Sequence, residues 1–313
     1  MNGSWTEKGT APRAVVEGVR TTRRNFVQLT VGLAAATVCG SASASERTHA
    51  AGLDADRMGV LVDLTRCIGC RRCEWACADA NDNPHGTLEE CDDQSVFDAT
   101  RRPTADQHCV INRSDATGDT GGPVFTKIQC MHCEHAPCVS ACLVGAMRKD
   151  PSGPVYYDAS RCIGCRYCMM ACPFERLAYE YSSRLTPRVR KCELCRHRTA
   201  EGLVPACVEI CPVEALQYGK RDDLLRIAHQ RIARDPDQYV HKVYGETDGG
   251  GTSWLYLSKA PFEELGFPRL AQRSPAERTE GIQHGVFKGF AAPLLLGALL
   301  ATVNKVSHRG GES

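Results

Sequence analysis

Short apolar runs, each ending at a glycine- or cysteine-rich stretch, set the pattern of this chain. Met58–Asp63 is the clearest, and 125–129 and 155–158 repeat it, the latter after the turn Asp150-Pro-Ser-Gly-Pro154; 177–181 and 215–218 are shorter strand-like segments. Residues 221–234 have helical spacing instead, with Leu224, Leu225, Ile227, Ala228 and Ile232 recurring at intervals that line one side. Residues 79–123 are polar, rich in Asp, Thr and Gly, and carry no sustained period. They predict an inserted loop used for docking a partner, with a surface lid as the alternative. Residues 244–260 pass through Gly249, Gly250 and Gly251 into Trp254-Leu-Tyr-Leu257, a glycine turn and a strand expected to reach toward a membrane. No lysine or helix start follows in the pattern of a phosphate loop.

Cysteine spacing changes the picture most. Sixteen of the nineteen cysteines fall into four runs: Cys67/Cys70/Cys73/Cys77, Cys130/Cys133/Cys138/Cys142, Cys162/Cys165/Cys168/Cys172 and Cys192/Cys195/Cys207/Cys211. The first and third read C-x2-C-x2-C-x3-C, in which three thiolates on a tight loop hold one [4Fe–4S] cluster and the fourth reaches a neighbouring one. The second and fourth runs widen a gap but keep the leading C-x2-C and the final x3. Structural zinc needs two pairs of ligands rather than triplets with a distant fourth. A disulfide framework belongs to short secreted domains, and 313 residues suffice for an ordinary core. Four [4Fe–4S] clusters are therefore expected, and with them electron transfer.

The runs around Cys67 and Cys162 are near copies (Asp63-Leu-Thr-Arg-Cys-Ile-Gly-Cys and Asp158-Ala-Ser-Arg-Cys-Ile-Gly-Cys), an internal duplication. Gly69 and Gly164 sit between the first two thiols, where a side chain would crowd the amides that bond to cluster sulfur. Pro173 and Pro212 follow the last cysteine of the third and fourth runs, as in bacterial ferredoxins; Ala78 and Leu143 replace them in the others. With four cysteines already present in the second run, His132 and His135 are left to the surface or to positions behind the ligands. Arg66, Arg71, Arg72, Arg161, Arg166, Arg190, Lys191, Arg196 and Arg198 crowd the runs. They offset cluster charge and raise potentials, or form a solvated basic face. A net charge of +1 argues against nucleic acid. Cys91 and Cys109 lie outside every run and are candidates for a disulfide.

Both ends carry targeting signals. Thr22-Arg23-Arg24-Asn25-Phe26-Val27 opens an uncharged stretch to Val38, followed by Ala42-Ser43-Ala44, which predicts a twin-arginine signal peptide at 1–44. Residues 289–304 carry no charge and include Phe290, Leu294, Leu295, Leu296, Leu299, Leu300 and Val303. They predict a membrane segment, although sixteen residues reach only about 24 Å against about 30 Å of hydrocarbon, so 286–287 must extend it while Lys288 snorkels. A buried helix or re-entrant stub is the alternative. Lys305, His308 and Arg309 place the following tail in the cytoplasm.

Together these elements predict an α+β fold with tandem ferredoxin-like lobes binding four [4Fe–4S] clusters and a C-terminal single transmembrane helix. The expected organisation is a signal peptide at 1–44, a four-cluster domain at 45–235 with 79–123 inserted, an extension at 236–285, an anchor at 286–304 and a cytoplasmic tail at 305–313. No motif supplies a nickel site, a nucleophile beside a base or an open metal position.

The chain resembles the ferredoxin-like electron-transfer subunits of hydrogenase-2 type [NiFe] hydrogenases, which are periplasmic and membrane-bound. The match rests on Arg-Arg-Asn-Phe26, Gln129-Cys-Met-His-Cys133, the Cys162–Pro173 stretch, Lys191-Cys-Glu-Leu-Cys195, Tyr244-Gly-Glu-x2-Gly-Gly-Gly-Thr252 and Ile282-Gln-His284. The resemblance implies a non-catalytic subunit between hydrogenase small and large subunits and an integral membrane quinone-reactive subunit. It also implies crossed ligand sets: Cys67, Cys70, Cys73 with Cys211; Cys192, Cys195, Cys207 with Cys77; Cys130, Cys133, Cys138 with Cys172; and Cys162, Cys165, Cys168 with Cys142. Alternatives are the equivalent subunit of a periplasmic molybdenum oxidoreductase or formate dehydrogenase, and a zinc-binding scaffold.

Overall fold

The computed structural model describes residues 57–115, 122–183 and 185–309. The expected signal peptide lies outside the described residues. The strands are β1 (Met58–Asp63), β2 (Cys109–Ser114), β3 (Val124–Gln129), β4 (Met147–Lys149), β5 (Val155–Tyr157), β6 (Ala178–Tyr179), β7 (Val189–Arg190), β8 (Leu216–Lys220) and β9 (Trp254–Leu257). The helices are α1 (Arg72–Asp79), α2 (Pro137–Ser140), α3 (Tyr167–Ala171), α4 (Arg196–Ala200), α5 (Ala206–Glu209), α6 (Arg221–Arg234) and α7 (Pro275–Arg309).

One three-stranded sheet organises the body, in the order β8-β1-β9, with β8 antiparallel and β9 parallel to the central strand. Strand alternation gives it two faces. Val60 and Val62 of β1, with Trp254 and Tyr256 of β9, join the large core that also holds most of the buried cysteines. Leu61, Leu255 and Leu257 point the other way and pack on Leu224, Ala228 and Ile232 of α6. Those three positions, spaced by four, form the single stripe that an amphipathic helix buries. Asp222 and Asp223 in its first turn and Arg231 and Arg234 in its last suit the helix dipole. Arg231 also closes onto buried Asp63, Nη1 to Oδ2 2.9 Å. Three two-stranded ribbons, β2-β3, β4-β5 and β6-β7, complete the sheets among the described residues.

Three expectations are corrected. The transmembrane helix expected at 286–304 is not supported: α7 has 35 residues, yet among the described residues no helix is long and apolar enough to cross a membrane. Lys288 and Lys305 bracket the uncharged stretch, and Gly289, Pro293, Gly297, Thr302 and Asn304 dilute what lies between. The expected C-terminal anchor and cytoplasmic tail lose their basis with it, and the fold is a mixed α/β arrangement of short elements.

Residues 79–123 are not a plain loop. Two 3-10 turns, Glu89–Asp92 and Ser95–Asp98, and strand β2 lie within them. The organiser is Glu74, a buried carboxylate on α1. It accepts from Arg101 (2.6 and 3.1 Å), Gln107 (3.1 Å), Arg71 (3.3 Å) and the Ile111 N–H. Residues 244–260 are not an arm, since β9 pairs with β1 and all four of its residues are buried. Cβ addition at Gly245 would meet the Thr252 hydroxyl and the Trp254 carbonyl at 2.4 Å, which explains why this turn is glycine-rich.

Candidate metal centres

Each cysteine run starts on a loop and ends on or beside a short helix. Cys73 and Cys77 lie one turn apart on α1, Cys138 on α2, Cys168 on α3 with Cys172 capping it, and Cys207 on α5. The duplication is visible in the backbone: Gly69 and Gly164 both have φ 71°, and Arg71 and Arg166 have φ 57° and 59°. Gly69 is doubly constrained, because a Cβ there would stand 2.5 Å from the Phe125 ring. At Gly164 a Cβ would meet only the Tyr179 hydroxyl, at 3.0 Å.

The thiols act on one another in four neighbourhoods. Burial pushes the Cys67 thiol up to about 11 against a bond from the Gly69 N–H, and Cys70 and Cys211 add to the rise. Burial raises Cys168 to about 11 as well, with Cys142, Cys162 and Cys165 contributing. Cys133 is raised by burial and then by Cys138, Cys130 and Cys172, and Cys138 by burial, Cys130 and Cys172. Cys207 is pushed up to about 12, chiefly by burial, with Cys195 adding to the rise. Cys192 is raised by burial and by Cys130, Cys207 and Cys195, and Cys192 in turn acts on Cys77. Charge interactions also run between the groups: Cys73 with Cys207, Cys192 with Cys130, and Cys138 with Cys168. Cys67 and Cys70 are half-buried and Cys165 is exposed; Ile68 and Met170 are 57% and 86% exposed.

Do these residues fit an iron–sulfur cluster? Buried thiols that raise one another's pKa become thiolates only around a shared cation. Donors for sulfur are also in place. The N–H groups of Gly164 and Leu194 point at Cys162 and Cys192 Sγ at 3.4 Å, and that of Ala146 at Cys142 Sγ at 3.1 Å. His132 is 0% exposed, and its Nδ1 accepts from the Val155 N–H at 2.8 Å, which leaves the proton on Nε2. That Nε2 has no partner, although it stands in the C-x2-C loop between Cys130 and Cys133. An unspent buried donor there fits an inorganic sulfide or thiolate acceptor. Among the described residues no three Cys, His, Asp or Glu side chains could hold a single metal ion. The set fits [4Fe–4S] chemistry.

The flanking arginines are largely engaged elsewhere. Arg71 bonds to Glu74 and to the Asp93 carbonyl, Arg190 to Asn83, Arg196 to Asp150 and Arg198 to Glu209. Lysines reach the ligand runs instead. Lys149 Nζ donates to the Cys133 carbonyl at 2.9 Å, Lys191 Nζ to the Cys192 carbonyl at 2.9 Å, and Lys127 lies among four thiols. Only Lys191 stands out in the sequence as a flanking cation; the signal for Lys127 is a lysine inside an apolar strand three residues before a ligand run. Cys91 and Cys109 are not joined. Cys91 faces the Arg71 carbonyl, and Cys109 faces the Cys73 carbonyl at 3.6 Å.

A 4Fe-4S dicluster domain model matches residues 123–221. A protein of Nitratidesulfovibrio vulgaris is 46% identical, over 90% of this chain and 77% of its own. The hydrogenase-2 operon protein HybA of Escherichia coli O157:H7 is 36% identical over 82% of this chain and 88% of its own. The iron–sulfur subunit of the nitrate-inducible formate dehydrogenase of Escherichia coli K12 is 32% identical over 77% of this chain and 80% of its own. With dicluster motifs, buried thiol groups and relatives of nearly full length in agreement, this chain belongs to the HybA-like family of iron–sulfur subunits, which transfer electrons within oxidoreductase complexes and are not themselves catalytic.

Proposed function

We propose that the chain holds four [4Fe–4S] clusters and relays electrons between a periplasmic [NiFe] hydrogenase and a membrane subunit that reacts with quinone. The crossed ligand sets are Cys67, Cys70, Cys73 and Cys211; Cys192, Cys195, Cys207 and Cys77; Cys130, Cys133, Cys138 and Cys172; and Cys162, Cys165, Cys168 and Cys142. The clusters supply one-electron redox chemistry. The protein supplies thiolates, N–H donors and a dry surround that fixes the spacing. What supports this reading is the order in which the thiols act on one another electrostatically, Cys73 with Cys207, Cys192 with Cys130, and Cys138 with Cys168. Neither inner set has an exposed cysteine, while the outermost set at one end includes exposed Cys165. Such an order suits entry of an electron at one surface and exit at the other.

The hydrogenase partner is favoured by the higher identity to HybA than to the formate dehydrogenase subunit, 36% against 32%. A twin-arginine signal at 1–44 agrees with export of a protein already loaded with clusters. The test is isolation of the native complex under anaerobic conditions. Co-purification with a nickel-containing subunit supports the reading; co-purification with a molybdenum-containing one replaces the hydrogenase partner.

A further inference from the structure

Lys127 stands in the middle of β3, opposite Ile111, and is 2% exposed. Its Nζ lies 5.3 Å from the centre of the Trp254 ring. A cation–π contact of this kind offsets part of the desolvation of an ammonium and leaves much of it unmet. The ordinary remedy is a carboxylate, and none is among the groups that act most on Lys127. Glu74 spends its oxygens on Arg101, Gln107, Arg71 and the Ile111 N–H. The groups whose charge favours the ammonium form of Lys127 are sulfurs, Cys109, Cys207, Cys73 and Cys77.

Those thiols do not belong to one centre. On the reading above, Cys73 is a ligand of the Cys67 set, while Cys207 and Cys77 are ligands of the Cys192 set. Lys127 also acts on Cys67 in the first set and on Cys195 in the second. The remaining group, Cys109, is a ligand of neither; the β2–β3 pairing sets it near Lys127, its thiol faces the Cys73 carbonyl at 3.6 Å, and it interacts with Cys77. The lysine is thus a single buried cation shared between two adjacent clusters.

Resting on the four-cluster reading, we propose that Lys127 sets the potentials of the two clusters in the Cys67 and Cys192 quartets, and is the positioning charge for electron passage between them. Each cluster gains one negative charge on reduction, and a fixed cation at short range in a low-dielectric interior stabilises the reduced form. The effect requires no movement and no proton. It is shared, so it raises both potentials together and keeps the step between them small. Lys149 donates to the Cys133 carbonyl, in a third quartet, and Lys191 to the Cys192 carbonyl, so both bond to main chain.

The test is an EPR-monitored redox titration of the full iron-loaded chain, with iron and sulfide analysis, for wild type, Lys127→Met, Lys127→Gln and Lys127→Arg. Methionine keeps the buried volume and removes the charge; glutamine does so with a polar group, which guards against a variant that fails to load. We expect both neutral variants that retain iron to show the two centres about tenfold less reduced at a fixed ambient potential, about 59 mV for one electron. The other two centres should stay in place, and Lys127→Arg should titrate near wild type. Fully loaded neutral variants with unchanged midpoints would overturn the proposal, as would an equal shift in all four centres or an arginine variant that titrates like methionine. If no neutral variant loads iron while the arginine variant does, Lys127 is needed for assembly and the proposal in this form fails. Wild-type protein without iron would instead sink the four-cluster reading itself, so the two failures are distinguishable.

Discussion

Replacing Glu74 by glutamine should release the insertion between the first two cysteine runs without touching a thiol. In the structure one carboxylate gathers a guanidinium from Arg101, a second from Arg71, the Gln107 amide and the Ile111 N–H, from positions 27 to 37 residues downstream as well as from its own helix. Glutamine keeps the shape but loses the charge, and its NH2 group faces donors. A hydrogen bond to a charged group contributes about 1.5–3 kcal/mol. Removing one partner of a buried ion pair costs about 3–5 kcal/mol. Arg101 is 21% exposed and regains some solvent, so the low end applies, about 3 kcal/mol. At about 1.4 kcal/mol per factor of ten, the opening equilibrium of this segment rises roughly a hundredfold. Hydrogen exchange followed by mass spectrometry on the iron-loaded chain reads this directly. Peptides covering 89–114 should exchange roughly a hundredfold faster while those covering β1 and β9 stay protected. Unchanged protection at Ile111 would refute the claim that Glu74 orders the insertion.

Further outcomes follow from the same geometry. Cys211→Ser should disturb the EPR signal of the centre anchored by Cys67 and spare that anchored by Cys192; the reverse pattern would contradict the crossed sets. Gly69→Ala should lower iron content and melting temperature more than Gly164→Ala. Both need positive φ, a cost of about 1–2 kcal/mol, but only at Gly69 does the new methyl strike a ring. Equal losses would point to backbone strain alone. His132→Leu should lower the midpoint of the Cys130 centre by removing the unspent Nε2 donor, measured by redox titration; an unchanged midpoint would show that the donor faces no sulfur.

What the sequence discloses here is whatever local geometry demands. Three thiolates on one small cubane require two-residue gaps, so the ligand runs are readable at sight, as is the duplicated Cys-Ile-Gly-Cys loop with its two glycines at the same φ. Helix α6 is readable because a single stripe faces a single sheet. Elements defined by distant partners are not. The insertion at 79–123 has no period because its order comes from Glu74, a residue on another element. Strand β9 looked like an arm because its partner, β1, lies almost two hundred residues earlier in the chain. The uncharged stretch at 289–304 mimicked a membrane span in its lack of charge, but it is short and diluted by glycine, proline and polar residues. Lys127 is the most instructive omission: arginines beside the cysteines drew notice by proximity in sequence, yet several of them pair with carboxylates. The cation among the thiols comes from a strand interior, where burial is invisible without the fold.

The central claim is that sixteen thiolates hold four cubanes in a line. Metal and acid-labile sulfide analysis of the anaerobically purified chain, with integration of the EPR signal after full reduction, tests it most directly. About sixteen iron and sixteen sulfide per polypeptide, with interacting spins from neighbouring centres, is the predicted result. A colourless preparation holding zinc, or one with thiols bridged as disulfides and no sulfide, would contradict it.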